Sequence, residues 1–242
     1  MVVPMKGIPI SGYYLQEIGD VMQDLFSGYD STHSDWRRFL LEWSLKCGSD
    51  ISISLIGGMN GNHGATEEAI RLNCQRLGLD SLPKSYVDFL KNYSVDEKYP
   101  GLSLCAGQGV LLPVDKIDYL HKIDQQMYGV IKEVGEDTVG PDYFKYGLDM
   151  DNACFNASFA DKFIVIGRSS LNDYVYLNPC VETVDGEFEC ILDCPGFAIR
   201  TLSFAGMMRY MYVYECGEFD HYPPYPDWAF EQGTAALIKT KF

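Results

Sequence analysis

From Tyr14 to Phe26 the apolar residues Leu15, Ile18, Met22, Leu25 and Phe26 recur at helical spacing, which predicts an amphipathic helix. A second helix follows, capped by Ser34 or Asp35, with Trp36, Phe39, Leu40 and Trp43 as an aromatic stripe before Gly48. Ile51, Ile53 and Leu55 alternate with Ser52 and Ser54, the pattern of a short strand, and Gly57 to Gly64 is a glycine-rich loop. Thr66 then caps a helix with Glu67 and Glu68 in its first turn, where they complement the helix dipole, and with Ala69, Ile70, Leu72, Cys74 and Leu77 at its apolar positions. Leu82 to Leu90 continues as another helix. Pro83 opens it, since the first turn has no use for the missing N–H, and Tyr86, Phe89 and Leu90 form one apolar face suited to the core.

Further along, Gly101 to Pro113 predicts two short strands around Gly107 and Gly109. Val114, Ile117, Leu120, Ile123 and Met127 hold helical spacing, whereas Gly135 to Asp151 reads as a polar loop. Phe163 to Ile166, Tyr174 to Leu177 and Phe188 to Leu192 predict three strands of an antiparallel meander. Ser203 caps a last helix from Phe204 to about Tyr214, its apolar side supplied by Met207, Met208, Met211 and Tyr212. His221 to Trp228 is rich in proline and aromatics, with no repeat anywhere in the chain. The expected division is an N-terminal helical extension packed on the main domain (1–65), a main domain (66–214) and a Pro/aromatic-rich C-terminal tail (215–242).

Composition narrows the class of partner. The chain has 242 residues, 47% of them hydrophobic and 14% aromatic, which suits a folded domain. With 34 acidic and 19 basic side chains the formal charge is −15, which repels phosphate backbones and anionic lipid surfaces and favours basic partners. No nucleic-acid or membrane partner is expected. The start of the chain lacks a secretory pattern and no apolar run approaches the ~18 residues that cross a bilayer, so a cytoplasmic location is expected. The eight cysteines are then reduced core thiols, and the sequons at Asn92-Tyr-Ser94 and Asn156-Ala-Ser158 are chance matches.

Chemistry is hard to find in the sequence. The glycine-rich loop lacks the Lys-Ser/Thr of a phosphate loop and the spacing of a dinucleotide fingerprint, and reads better as a hinge. The four histidines stand far apart, Cys190 and Cys194 are a single pair without a second, and Asp149-Met-Asp151-Asn152 lacks the glycine and closing glutamate of a calcium loop. No metal and no cofactor are expected. No strained Gly-x-Ser-x-Gly turn is present, and the eight thiols and four histidines allow many distant pairings of which the sequence singles out none.

The order of the segments from Thr66 to Tyr214 resembles the SUKH superfamily, which includes the Smi/Knr-type cell-wall-assembly regulators and many bacterial immunity proteins. The residues that carry the resemblance are Leu77-Gly-Leu79 followed by Leu82-Pro-x-x-Tyr86-x-x-Phe89-Leu90, Leu111-Leu-Pro113, Ile164-Val-Ile-Gly167 leading to Asp173-Tyr-Val-Tyr-Leu177, and Ser203-Phe204. The resemblance implies an α+β fold with a central, mainly antiparallel sheet flanked by helices, and a non-enzymatic protein-binding role with no catalytic residues. An immunity protein that neutralises a basic toxin domain, such as a nuclease, is the leading expectation; alternatives are a regulatory scaffold and a Cys/His hydrolase. The expected partner contacts are the acidic and aromatic residues around the sheet, Asp149, Asp151, Asp173, Tyr174, Tyr176, Glu187 and Glu189, taken as a solvated face. On that reading, charge reversal at Asp173 or Glu187 slows association with a basic partner more than it changes fold stability, and binding that ignores salt counts against it.

Overall fold

Three runs of the sequence rich in β-branched and aromatic residues become the middle of one antiparallel sheet. The computed structural model describes Trp36 and residues 64–92, 109–135, 141–144, 146, 156–169, 173–183, 185–194, 197–216 and 237–240. In chain order the elements are α1 (Glu67–Leu77), α2 (Lys84–Asn92), β1 (Gly109–Leu111), β2 (Asp118–Tyr119), α3 (Leu120–Ile123), α4 (Gln125–Val134), β3 (Ile164–Ser169), β4 (Tyr174–Thr183), β5 (Phe188–Cys194), β6 (Phe197–Thr201), α5 (Phe204–Cys216) and β7 (Leu237–Thr240). Short 3-10 helices at Pro141–Phe144 and Ala157–Lys162 lie between α4 and β3. The strand order is β1-β3-β4-β5-β6, with β2 also on β3 and β7 also on β4, and every pairing is antiparallel. This is an α+β fold built on an antiparallel sheet, as the sequence predicts.

Alternation along the strands separates two faces. Val175, Leu177, Cys190, Leu192 and Ile199 share one by register, and Tyr174, Tyr176, Asn178, Glu189, Ile191, Asp193 and Arg200 share the other. The apolar face is covered by α5, which packs on β5, β6 and α2. From Phe204 to Met211 α5 is buried all round, which suits a sequence that is apolar apart from the buried Arg209. Its first residue locks an aromatic cluster: the Phe204 ring lies 4.8 Å from Tyr86, 5.1 Å from Phe89 and 5.5 Å from Trp36. Edge and tilted contacts of this kind add about 0.5–1.5 kcal/mol per pair beyond the area they bury.

The helix ends follow the expected chemistry. Thr66 Oγ1 accepts from the Ala69 N–H, and Gly78 closes α1 at φ 67°, a left-handed conformation that glycine adopts without a Cβ penalty. Ser203 Oγ accepts from the Gly206 N–H at the start of α5. The carbonyl of Pro83 accepts from the Val87 N–H. The cap of α2 comes from another part of the chain: Glu187, beside the β4–β5 turn, accepts from the Ser85 N–H at 2.8 Å and the Ser85 hydroxyl at 2.6 Å. A carboxylate at that end also complements the helix dipole.

Three features depart from the sequence reading. The helix expected through Val114 to Met127 starts only at Leu120, because Asp118 and Tyr119 pair with Val165 and Ile164 as β2. It is also broken at Asp124, whose backbone turns extended (φ −146°, ψ 97°) while its side chain caps α4 by accepting from the Met127 N–H. β6 was not expected at all. Leu237–Thr240, assigned to the tail by sequence, pairs with Val181–Thr183 of β4. Asn156 of the second sequon is buried and its side chain caps the following 3-10 helix through Ser158, so it is closed to a glycan in the folded chain. The two N-terminal helices (Trp36 aside), the strand at Ile51–Leu55 and most of the glycine-rich loop lie outside the described residues, as do the first of the two strands before Pro113 and the Pro/aromatic segment.

Glu187→Ala removes the acceptor for two α2 donors, and a loss of about 1–3 kcal/mol is expected in urea unfolding. Tyr86→Phe is expected to be neutral or stabilising in the same measurement, because the Tyr86 hydroxyl is fully buried without a hydrogen-bond partner. A large loss from Tyr86→Phe would contradict that placement.

Candidate functional site

The second face of the sheet carries a buried charge pair. Glu189 is 0% exposed and Arg200 1%. Glu189 pairs with Asn178 in register and Arg200 with Ile191, two residues on, so the two are diagonal neighbours on one face. Arg200 Nη1 stands 3.6 Å from Glu189 Oε1, and its guanidinium carbon lies 3.9 Å from the centre of the Tyr143 ring and 5.7 Å from that of Tyr146. Arg200 also donates to the Tyr143 carbonyl. Glu189 collects three further donors: the Tyr143 hydroxyl at 2.9 Å, the Tyr146 hydroxyl at 2.9 Å and Asn178 Nδ2 at 2.7 Å. Burial pushes the Glu189 carboxyl up from its ordinary range, against the pull of Arg200 and those hydrogen bonds. The network therefore ties the 3-10 helix at Pro141–Phe144 down onto the sheet.

A second set of hydroxyls and carboxylates lies towards the β3–β4 end of the same face. Tyr174 donates to Asp124 Oδ2 at 2.5 Å and Tyr176 to Asp193 Oδ2 at 3.3 Å, with the two rings stacked 5.7 Å apart. Phe163 also stacks on Tyr176, with ring centres 5.3 Å apart. Burial, aided by the Asp124 hydrogen bond and charge, pushes Tyr174 up to about 12.

The exposed setting expected for the sheet residues is not what the structure has. Asp173, Tyr174, Tyr176, Glu187 and Glu189 are all buried. Tyr174, Tyr176 and Glu189 point to a covered face, Asp173 is turned to Ser169, and Glu187 is used by α2. The physical reason is that both faces of β4 and β5 are covered, so polar residues on these strands mark an interior network and not a solvated surface. Charge reversal at Asp173 or Glu187 accordingly acts on folding first, which replaces the expectation of a selective effect on association. Asp149 and Asp151 lie outside the described residues. Arg200, Asp193, Asn178, Tyr143 and Tyr146 were missed. For Asn178, Asp193 and Arg200 the sequence signal is the spacing Tyr174-x-Tyr176-x-Asn178, Glu189-x-Ile191-x-Asp193 and the Arg within Phe197-Ala-Ile-Arg-Thr201, visible once these are read as strands; Tyr143 and Tyr146, in a polar loop, carry none.

What the described surface does present is an aromatic array beside α4. Tyr119 stacks on His121 at 5.5 Å, His121 meets the edge of Tyr128 at 5.9 Å, and Lys122 lies 5.4 Å from the centre of the Tyr119 ring. All three rings are half-buried. Hydrogen bonds hold them: Tyr119 donates to the Leu77 carbonyl and Tyr128 to Asp161. Three carboxylates border the array. Burial works to raise Asp118, but the Tyr119 N–H, Lys122 and Arg76 outweigh it and hold that carboxyl low. The Tyr174 hydroxyl and the Met127 N–H do the same for Asp124, and the Tyr128 hydroxyl and Lys132 for Asp161.

The thiols offer no activated nucleophile among those described. Cys74, Cys180 and Cys190 are buried; burial pushes Cys180 up to about 11 and raises Cys190 as well, the opposite of what thiolate chemistry needs. Among the described residues no group of three or more His, Cys, Asp or Glu is placed to hold a metal ion, and no helix is long and apolar enough to cross a membrane. No family model, curated protein or solved structure matches this chain.

Removing one partner of the buried pair leaves a charge without its counter-charge. Glu189→Met or Arg200→Met is each expected to cost about 3–5 kcal/mol in thermal or urea unfolding, and the double variant far less than the sum. Additive losses would show that the two side chains do not act as a unit.

Proposed function

We propose that this chain is a non-enzymatic protein-binding domain of the immunity type, neutralising a basic toxin domain by covering its active surface. The observation that carries this reading is the half-exposed Tyr119–His121–Tyr128 array with its border of carboxylates. Tyrosines held rigidly at a surface contribute large contact areas at small entropic cost, and they are enriched among the residues that dominate interface energies. The carboxylates beside them stay ionised well below neutral pH. Pairs such as Arg71–Glu68, Arg76–Asp118 and Lys91–Glu67 cancel one charge of each sign, and the net −15 of the whole chain is what steers a cationic partner. The SUKH-like order of segments in the sequence points to the same kind of role. In this reading the contact moves from the buried sheet residues to α4 and the turn before it.

The test begins with the reading frame next to this one. A toxin domain encoded there is expressed with and without this chain, and rescue of growth together with a stable complex is expected. Asp161→Lys is expected to slow association about tenfold at low salt; because Asp161 also anchors Tyr128 and pairs with Lys132, unfolding is measured alongside, and Tyr128→Ala is expected to speed dissociation. The immunity reading fails if no toxin is encoded nearby or no complex forms. A complex indifferent to salt and to both substitutions would move the interface elsewhere.

A further inference from the structure

We propose that Asp193 is a proton-operated latch: protonated, it closes the end of the sheet where β5 meets Tyr174 and Tyr176, and on losing its proton it drives that end open. Asp193 stands opposite Tyr174 in the β4–β5 register and is 5% exposed. Its hydrogen bond from the Tyr176 hydroxyl is long, at 3.3 Å, and no cation pairs with it among the described residues.

The groups facing it from each neighbouring element explain why its ionisation is costly. β4 supplies two phenols, Tyr174 and Tyr176, and the residue before that strand is a second buried carboxylate, Asp173, whose charge works against ionisation of Asp193. Asp173 is fixed by the Ser169 hydroxyl at 2.7 Å and cannot turn freely away. From the start of α4, Asp124 takes the Tyr174 hydroxyl, so that phenol is not available to Asp193. β3 supplies Arg168, which is exposed and acts on Asp124 and Tyr174. β6 places Ala198 opposite Asp193 and so contributes no charge there. The cation on that face, Arg200, is held by Glu189 and the Tyr143 carbonyl. Glu189, on β5 itself, adds no positive charge.

A carboxylate in such a place is stable when neutral and strained when charged. Burial first, and then Asp173, push Asp193 up to about 7, against the Tyr176 hydrogen bond. The sign of the linkage follows. The folded state holds the proton more tightly than the unfolded chain, so the stabilising contribution is complete below the ordinary aspartate range and is lost as pH rises towards and through about 7. The depressed carboxylates Asp118, Asp124 and Asp161 act in the opposite sense and at lower pH, so the Asp193 component is read as a difference between two proteins.

The experiment compares the full chain with Asp193→Asn, which keeps the shape and stays neutral. Between pH 5 and pH 8 the ratio of wild-type to variant unfolding constants is expected to rise roughly a hundredfold, since each pH unit inside the window changes it up to tenfold. Protection factors of the amides at the β4–β5 end, taken relative to the intrinsic base-catalysed rate at each pH, should fall over the same range in the wild type and stay level in the variant. A ratio that is flat with pH overturns the latch. Should Asp193→Asn fail to fold, the carbon-13 shift of the Asp193 carboxyl in the wild-type protein decides: a midpoint near neutrality supports the proposal and one near the ordinary aspartate value ends it.

Discussion

A sheet covered on both faces has to satisfy from within every polar side chain that it holds. β4 and β5 are in that position, and Glu189 with Arg200 is the point at which the demand is greatest. An isolated carboxylate or guanidinium there would cost several kcal/mol in lost hydration. The structure meets this cost by placing the two on diagonal positions of adjacent strands, stacking Tyr143 on the guanidinium and directing Tyr143, Tyr146 and Asn178 at the carboxylate. The register of β4, β5 and β6 and the position of the Pro141–Phe144 helix all follow from satisfying that pair. The opposite face, with the helices over it, carries a lighter polar load, the buried Glu187 carboxylate and the buried Arg209 of α5. It is joined to its helices by dispersion and aromatic contacts around Phe204 and by the Glu187–Ser85 link to α2.

This division of labour bears on what the protein does. The two buried carboxyls that burial raises, Glu189 and Asp193, are enclosed: one is matched by a counter-charge and the other has none among the described residues. Perturbed ionisation is often a mark of a working site, but structural networks produce it too. Groups that meet a partner must instead be reachable and rigid, and the Tyr119, His121 and Tyr128 array has both properties. It is fixed to the body by the Leu77 carbonyl and by Asp161, and all three of its residues are half-buried.

Helices with complete local signals were legible in the chain. α1 carries its own cap, its acidic first turn and its closing glycine, so both its limits were local, and Ser203 marks the start of α5, which runs on to Cys216. The three apolar strands were legible for the same reason, since their alternation is local. Less legible was the stretch from Val114 to Met127, where helical periodicity continues through Asp118 and Tyr119 although β3 claims them as a strand. Asp124 breaks the pattern by a hydrogen bond that only its cap geometry reveals.

By itself the sequence determined the class of fold, the charge that limits the choice of partner, and the helices and strands whose signals lie within a few residues of one another. Only the tertiary structure decided which polar residues face inward. Alternation states that Tyr174, Tyr176 and Asn178 share a side, and that Glu189 and Asp193 do; it cannot state whether that side meets water. That depends on what packs across it, and the cover comes from Tyr143, Tyr146 and Phe163, brought there by a chain path that no local pattern encodes. The same acidic and aromatic positions that read as a solvated binding face are therefore interior ones, because burial is a property of layers and not of strands.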